Sequence, residues 1–134
     1  MNATQIKTNP DSMEPFNIAQ GYMVGDLIFT SGQAAIDPQG NIVGVGDFDA
    51  QAEQSFMNLS AVLKQGGSSL AKVIKVTIYL TDMTNFPKIV ALREHFFSAP
   101  YPADTLVEVT SLALPELEIE IEAIAVTQGS IIEA

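Results

Sequence analysis

Between Leu117 and Val126 the chain reads Leu-Glu-Ile-Glu-Ile-Glu-Ala-Ile-Ala-Val, an alternation that only an extended strand sorts into two distinct faces. Glu118, Glu120 and Glu122 point to one side and Ile119, Ile121 and Ala123 to the other. Carboxylates at i and i+2 on a strand lie about 6.5–7 Å apart. If their face is enclosed, mutual repulsion and desolvation raise at least one pKa, which suits a general acid or base. If it is open, the same residues form the solvated outer face of an edge strand. Glu120, in the middle, is the one expected to turn towards a site.

The acidity extends beyond this strand. The chain carries 16 Asp and Glu against 6 Lys and Arg, a formal charge of -10, and no Lys or Arg follows Arg93. Such a field opposes phosphate backbones and anionic membranes, so nucleic acid is a poor candidate partner. A length of 134 residues falls within the usual size of one domain, about 100–150 residues. One domain over residues 1–134 is expected, with a polar N-terminal segment (1–15) and a tail (128–134). With no Cys, a disulfide framework, a thiolate metal site and a cysteine nucleophile are excluded. The start of the chain lacks the basic-then-apolar layout of a signal peptide, and no apolar run is long enough to span a bilayer. A cytoplasmic protein is the expectation.

The residues around Gly25-Asp26 predict a hairpin of strands Ala19 to Val24 and Leu27 to Gln33. After the turn Asp37-Pro38-Gln39-Gly40, Asn41 to Val45 suggests a short strand. Ala52, Phe56, Leu59, Val62 and Leu63 recur at helical spacing between Asp49 and Lys64, and Gly66-Gly67 stops that helix. Val73 to Leu80 predicts a core strand with Ile74, Val76, Ile78 and Leu80 on one face. A second helix, capped by Thr84 or Asn85 with Pro87 in its first turn, runs to about Phe97 on Phe86, Ile89, Val90, Leu92, Phe96 and Phe97. Strands Thr105 to Thr110 and Leu117 to Val126 complete an α+β fold, in which two helices cover one face of a single mixed sheet. Val107, Val109, Ile119, Ile121, Ile124 and Val126 put apolar residues on both faces of the late strands, which implies burial against another subunit.

Other residues that bear chemistry carry two readings each. Arg93 shares a helix stripe with Phe86, Val90 and Phe97; it either pairs with a carboxylate or captures a ligand's carboxylate, being the only bidentate donor in the chain. His95 is the single histidine, and without Cys or acids at ligand spacing it gives little support to a metal site. Ser31 and Ser111 lack an identifiable base, and Gly44-Val45-Gly46 is too short for a dinucleotide fingerprint.

Taken together, Gly25-Asp26-Leu27-Ile28-Phe29-Thr30-Ser31-Gly32-Gln33, the helix end Asn58 to Gly67, Lys75 to Met83, Pro102-Ala103, Val107-Glu108-Val109 and Ile119 to Ala125 resemble the Rid family, formerly the YjgF/YER057c/UK114 family. The resemblance spans residues 16 to 127. It implies a chorismate-mutase-like α+β fold and a homotrimer with a central β-barrel, whose clefts between subunits bind small metabolites. It also implies hydrolysis of reactive enamines and imines to 2-oxo acids and ammonia, without metal or organic cofactor.

Carried over residue by residue, the family's water-positioning glutamate matches Glu120, its Ser-Gly matches Ser31-Gly32, and the backbone position two residues after its arginine is Leu106. The arginine itself, which holds the substrate carboxylate, is replaced by Asp104 in Pro102-Ala103-Asp104-Thr105. The cleft tyrosine aligns with Ile18 and the cleft asparagine with Val90. Two anions about 4 Å apart at an effective dielectric of about 20 repel by about 4 kcal/mol, so Asp104 is expected to turn the cleft away from 2-imino acids towards neutral or cationic amines or imines. Arg93 either supplies a relocated anion site or neutralises Asp104. Three functions follow: a hydrolase or deaminase built on Glu120, a non-catalytic trimeric binding module, and, last, a ribonuclease or translation inhibitor.

Overall fold

A computed structural model describes residues 1–134. Its strands are β1 (Ala3–Ile6), β2 (Gly21–Val24), β3 (Leu27–Thr30), β4 (Gln33–Ala34), β5 (Val73–Leu80), β6 (Ala103–Glu108) and β7 (Ile119–Val126), and its helices are α1 (Phe48–Gln65) and α2 (Phe86–Phe96). All seven strands form one sheet in the order β1-β2-β3-β7-β5-β6, with β4 also on β7. Only β5 and β6 run parallel, and α2 connects them, as a parallel pair requires. The expected mixed sheet with both helices on one face is therefore present.

The hairpin forms where Gly25-Asp26 places it, with Val24 paired to Leu27. Gly25 adopts φ +57° at the first turn position, where a side chain would be strained. In α1 the side chain of Asp47 accepts a hydrogen bond from the Ala50 amide, and Gly66 and Gly67 end the helix as the sequence predicts. The helix buries Phe48, Ala52, Phe56, Leu59, Val62 and Leu63 against Ile28, Val76, Ile78, Ile119 and Ile121 of the sheet. Phe56 stacks on Phe96 of α2 at 4.2 Å between ring centroids, which ties the helices together. Removing such a buried ring costs about 3–5 kcal/mol.

Four expectations are corrected. Asn41 to Val45 forms no strand, only an isolated bridge between Ile36 and Ile42. A register irregularity against β7 between Val73 and Lys75 rotates Ile74 out of the core, and Val73 is buried in its place. In α2, Ile89 carries the burial, while Phe86 and Val90 are about half exposed. Neither Thr84 nor Asn85 caps α2 with its side chain; Asp82 instead caps the preceding turn by accepting from the Thr84 amide. The N-terminal segment, which is polar in composition, also contributes a strand: Ala3–Ile6 pairs with β2 and buries Ile6.

The face away from the helices holds Glu120, Glu122, Ile124 and Val126 of β7. Across from them stand Lys75, Thr77 and Tyr79 of β5, Thr105 and Val107 of β6, and Phe29 and Tyr22 of the hairpin. Tyr22, Phe29 and Val107 are each 36% exposed or more.

Candidate functional site

Strands β3 and β4 both pair with β7 but leave a gap between them: β3 meets Ile124 to Val126 and β4 meets Glu120 and Ile121. Ser31-Gly32 crosses that gap. The Thr30 hydroxyl holds it together by accepting from the Ala123 amide at 3.0 Å. Because Gly32 has no side chain, the Glu120 carboxylate can lie directly against it; a Cβ there would collide with Oε2 and stand 2.6 Å from Cδ. Glycine at this point is therefore a requirement of the Glu120 position.

Glu120 lines a cavity of about 370 Å³, walled by the N-terminal segment from Thr8 to Ile18, by Asn58, Ala61 and Val62 of α1, and by Ala113, Leu114 and Leu117 before β7. The N-terminal wall is held from below by Gln20, whose side-chain oxygen accepts from the Thr8 amide at 2.6 Å and whose Nε2 donates to the Thr8 hydroxyl at 2.8 Å. Asn58 holds the opposite wall, donating from Nδ2 to the carbonyls of Ala34 and Ile36 at 2.9 and 2.7 Å.

Burial holds the Glu120 carboxyl above the usual carboxylate range, and the neighbouring Glu122 adds to the shift. The two glutamates differ in their partners. Glu122 accepts a 2.6 Å hydrogen bond from the Tyr79 hydroxyl, which pushes the Tyr79 pKa up to about 12. The Glu120 carboxylate takes part in no hydrogen bond or ion pair within the chain, its residue being held only through the backbone ladders to β4 and β5. A half-buried carboxyl with a raised pKa, facing a cavity and free of protein partners, has the properties of a general acid and base.

Ile18, Gly32 and Glu120 thus border one cavity. Ser31 lies beside it, but its hydroxyl donates to the Ala19 carbonyl and its amide to the Gln20 carbonyl, so it braces the gap. The other residues singled out from the sequence lie elsewhere in the chain. Asp104 pairs in register with Val76, a buried core residue, whereas Glu120 pairs with Tyr79. An odd separation along β5 places the two carboxylates on opposite faces of the sheet. On the helix side, Asp104 is gripped by Arg93: Nε to Oδ2 and Nη2 to Oδ1, both at 2.9 Å. Of the two roles weighed for Arg93, neutralisation of Asp104 is the one observed. Leu106 shares that face half-buried, Val90 is exposed on α2, and Thr105 on the outer face accepts from Lys75 Nζ at 2.6 Å.

The wall residues Gln20 and Asn58 carry no periodic signal in the sequence; each acts through partners at least 12 positions away. Gln51 belongs to the same class: fully buried, it donates to the carbonyls of Gly44 and Glu116 and accepts from the Glu118 amide at 2.8 Å, fixing the chain as it enters β7. His95 is exposed with its ring edge-on to Phe96, and no three His, Cys, Asp or Glu side chains come together as a metal site would need. No helix is long and apolar enough to cross a membrane.

Comparison with known proteins places this geometry. The family model described as Endoribonuclease L-PSP matches residues 6–127. The RutC family protein y4sK of Sinorhizobium fredii is 41% identical over 122 residues, covering 89% of this chain and 94% of that protein. The 2-iminobutanoate/2-iminopropanoate deaminase of Salmonella typhimurium is 37% identical over 120 residues, covering 87% and 91%. Among solved structures, YyfA of the Rid family from Yersinia pestis superposes with a TM-score of 0.84 at 30% identity, covering 93% of this chain and 99% of that one. The chain therefore belongs to the Rid family, also known as the YjgF family.

Proposed function

We propose that this chain is a cofactor-independent hydrolase that deaminates small reactive enamines and imines, with Glu120 as its acid and base. The observation that carries the reading is the Glu120 carboxyl itself, seated on Gly32 at the cavity with no protein group to satisfy it. In this reading, the ionised Glu120 takes a proton from water as the oxygen adds to the imine carbon. It then returns a proton to the nitrogen of the carbinolamine. As the C–N bond breaks, the hydroxyl proton of the carbinolamine passes by way of Glu120 to the departing nitrogen, so that ammonia leaves and a carbonyl compound remains. A carboxyl whose pKa is raised by burial serves both transfers better than an ordinary one. Relatives named as 2-iminobutanoate/2-iminopropanoate deaminases, such as that of Salmonella typhimurium, support the reaction class.

The substrate preference differs from 2-imino acids in this proposal, because the position where the family pattern carries a carboxylate-binding arginine holds Asp104, and Asp104 in turn occupies Arg93. The residues around Asp104 and those around Glu120 lie on opposite faces of one chain, so a shared cleft needs a second copy to bring them together. We therefore propose a homotrimer closed over the outer face, where Tyr22, Phe29 and Val107 leave apolar surface exposed. Sedimentation at several concentrations tests the assembly.

The activity is tested by ammonia release from a panel of imines generated in place by an amino-acid or amine oxidase. Wild type is expected to accelerate release and Glu120→Gln to lose that acceleration. Ligand binding without release from any imine would instead favour a non-catalytic binding module. The ribonuclease reading is disfavoured because no Lys, Arg or His borders the cavity, leaving a phosphate without a counter-charge there.

A further inference from the structure

We infer that the Glu120 cavity takes small apolar cations of nitrogen that lack a carboxylate, namely primary alkyl or arylalkyl amines and the iminium ions derived from them. The nitrogen sits at Glu120 and the hydrocarbon group lies against Phe16, Ile18, Leu114 and Leu117. This rests on the reading of Glu120 as the group that meets substrate.

The volume of about 370 Å³ suits a ligand of a few to a dozen heavy atoms, since small-molecule sites start at roughly 300 Å³. Within one chain Glu120 is the single charged residue on its wall, with no Lys, Arg or His to balance it, and the Asp104 that a second copy would bring already holds Arg93 with both oxygens. A half-buried carboxylate without a partner is costly, and a charged N–H donor offsets that cost. A ligand bearing its own carboxylate would instead add a second anion to the same poorly solvated space.

The wall also offers few free polar groups to recognise anything else. The Gln20 amide is taken up by Thr8, the Gln33 amide nitrogen by the Ser31 carbonyl, and Asn58 by the Ala34 and Ile36 carbonyls and by Gln54. The remainder of a well-matched ligand is thus hydrocarbon. For an iminium ion the hydrolysis balances without a co-reactant: one water supplies the carbonyl oxygen, both of its hydrogens pass to the departing nitrogen, and the products are a ketone or aldehyde and one ammonium ion.

Calorimetric titration of the purified full chain with isobutylamine and benzylamine, against the similarly shaped carboxylates isovalerate and phenylacetate, tests the inference. The amines are expected to bind at least tenfold tighter than the carboxylates, and Glu120→Gln to weaken amine binding at least tenfold. Ile18→Arg, at an exposed position of the wall, should reverse the preference. Carboxylates binding wild type as well as the amines do, amines binding Glu120→Gln undiminished, or no amine binding at all would each overturn it. Ammonia release from 2-imino acids without amine binding would overturn this inference and leave the deaminase reading standing. Amine binding without release from any imine would do the reverse.

Discussion

Glu120 and Asp104 carry the same charge on strands of the same sheet, two strands apart, yet their surroundings are opposite. Glu120 is on a central strand, pressed against Gly32 and facing a cavity without a protein partner. Asp104 is on the edge strand β6, on the other face, with both oxygens held by one guanidinium. A carboxylate engaged by two charge-assisted hydrogen bonds has little left for a ligand, whereas an unengaged one in a poorly solvated place retains its capacity to move protons. Sequence acidity alone treats the two as equivalent; the arrangement of partners separates them.

The sharpest break of this comparison is Glu120→Gln, which keeps shape and removes the titrating group. A positioned general acid or base contributes about 10²–10⁴-fold, so ammonia release from the preferred imine should fall by that order with the circular dichroism unchanged. Asp104→Asn should leave the chemical step itself within a few-fold. If the two variants lost activity equally, the assignment of chemistry to one carboxylate would fail.

Gly32→Ala probes the seat rather than the group. The added methyl forces Glu120 aside, and a displacement of about 1 Å at a reacting group costs up to about 10²-fold. Because the obstructing atoms are the end of a side chain and not backbone, melting should change far less than kcat. A drop in stability with kcat unchanged would show that Gly32 serves the β3–β4 gap alone.

The partnered carboxylate yields a stability effect. With side chains 27% and 17% exposed, Arg93 and Asp104 are shielded enough that breaking their hydrogen bonds by Asp104→Ala should cost about 1–3 kcal/mol in urea unfolding. Exchanging the charges, Arg93→Asp with Asp104→Arg, should recover part of this and places an arginine on β6 where the family pattern has one. Gain of 2-imino acid turnover by that double variant would show that position 104 sets specificity; unchanged turnover would remove Asp104 from the substrate account.

What the sequence makes legible follows the range of the signal. The spacing of Phe56, Leu59, Val62 and Leu63 marks α1, Gly25-Asp26 marks the hairpin, and the alternation after Leu117 marks β7, because each is written within a few residues. Strand β1 exposes three of its four residues, so it has no period to detect. The shift at Ile74 arises from pairing with β7, and α2 buries Ile89 while Phe96 stacks on Phe56 of α1, contacts between elements that no local spacing records. In the candidate site, Glu120 stands out as the centre of an acidic alternation, while the cavity that gives it meaning depends on Thr8 meeting Gln20 across a loop. The Arg93–Asp104 pair is legible only as one of two options, since the partners lie eleven positions apart.

The smallest expected effect is also the most specific to Glu120. Burial, with help from Glu122, raises its pKa in the folded chain, whereas in the unfolded chain it titrates near the ordinary value of about 4.3. Between those two values the folded state holds the proton more firmly, so stability falls as pH rises through that window; below it the folded and unfolded carboxyls are both protonated and nothing is lost. Glutamine at this position has no proton to lose. The stability of Glu120→Gln minus that of wild type, from urea unfolding at about pH 3.5 to 8, should therefore start lowest at the acid end, climb as pH passes the ordinary carboxylate value, and level off once the folded carboxyl is ionised. A Glu120→Gln difference that fell with pH would mean that the ionised carboxylate meets a cation in solution, contrary to the contrast between an unengaged Glu120 and an engaged Asp104.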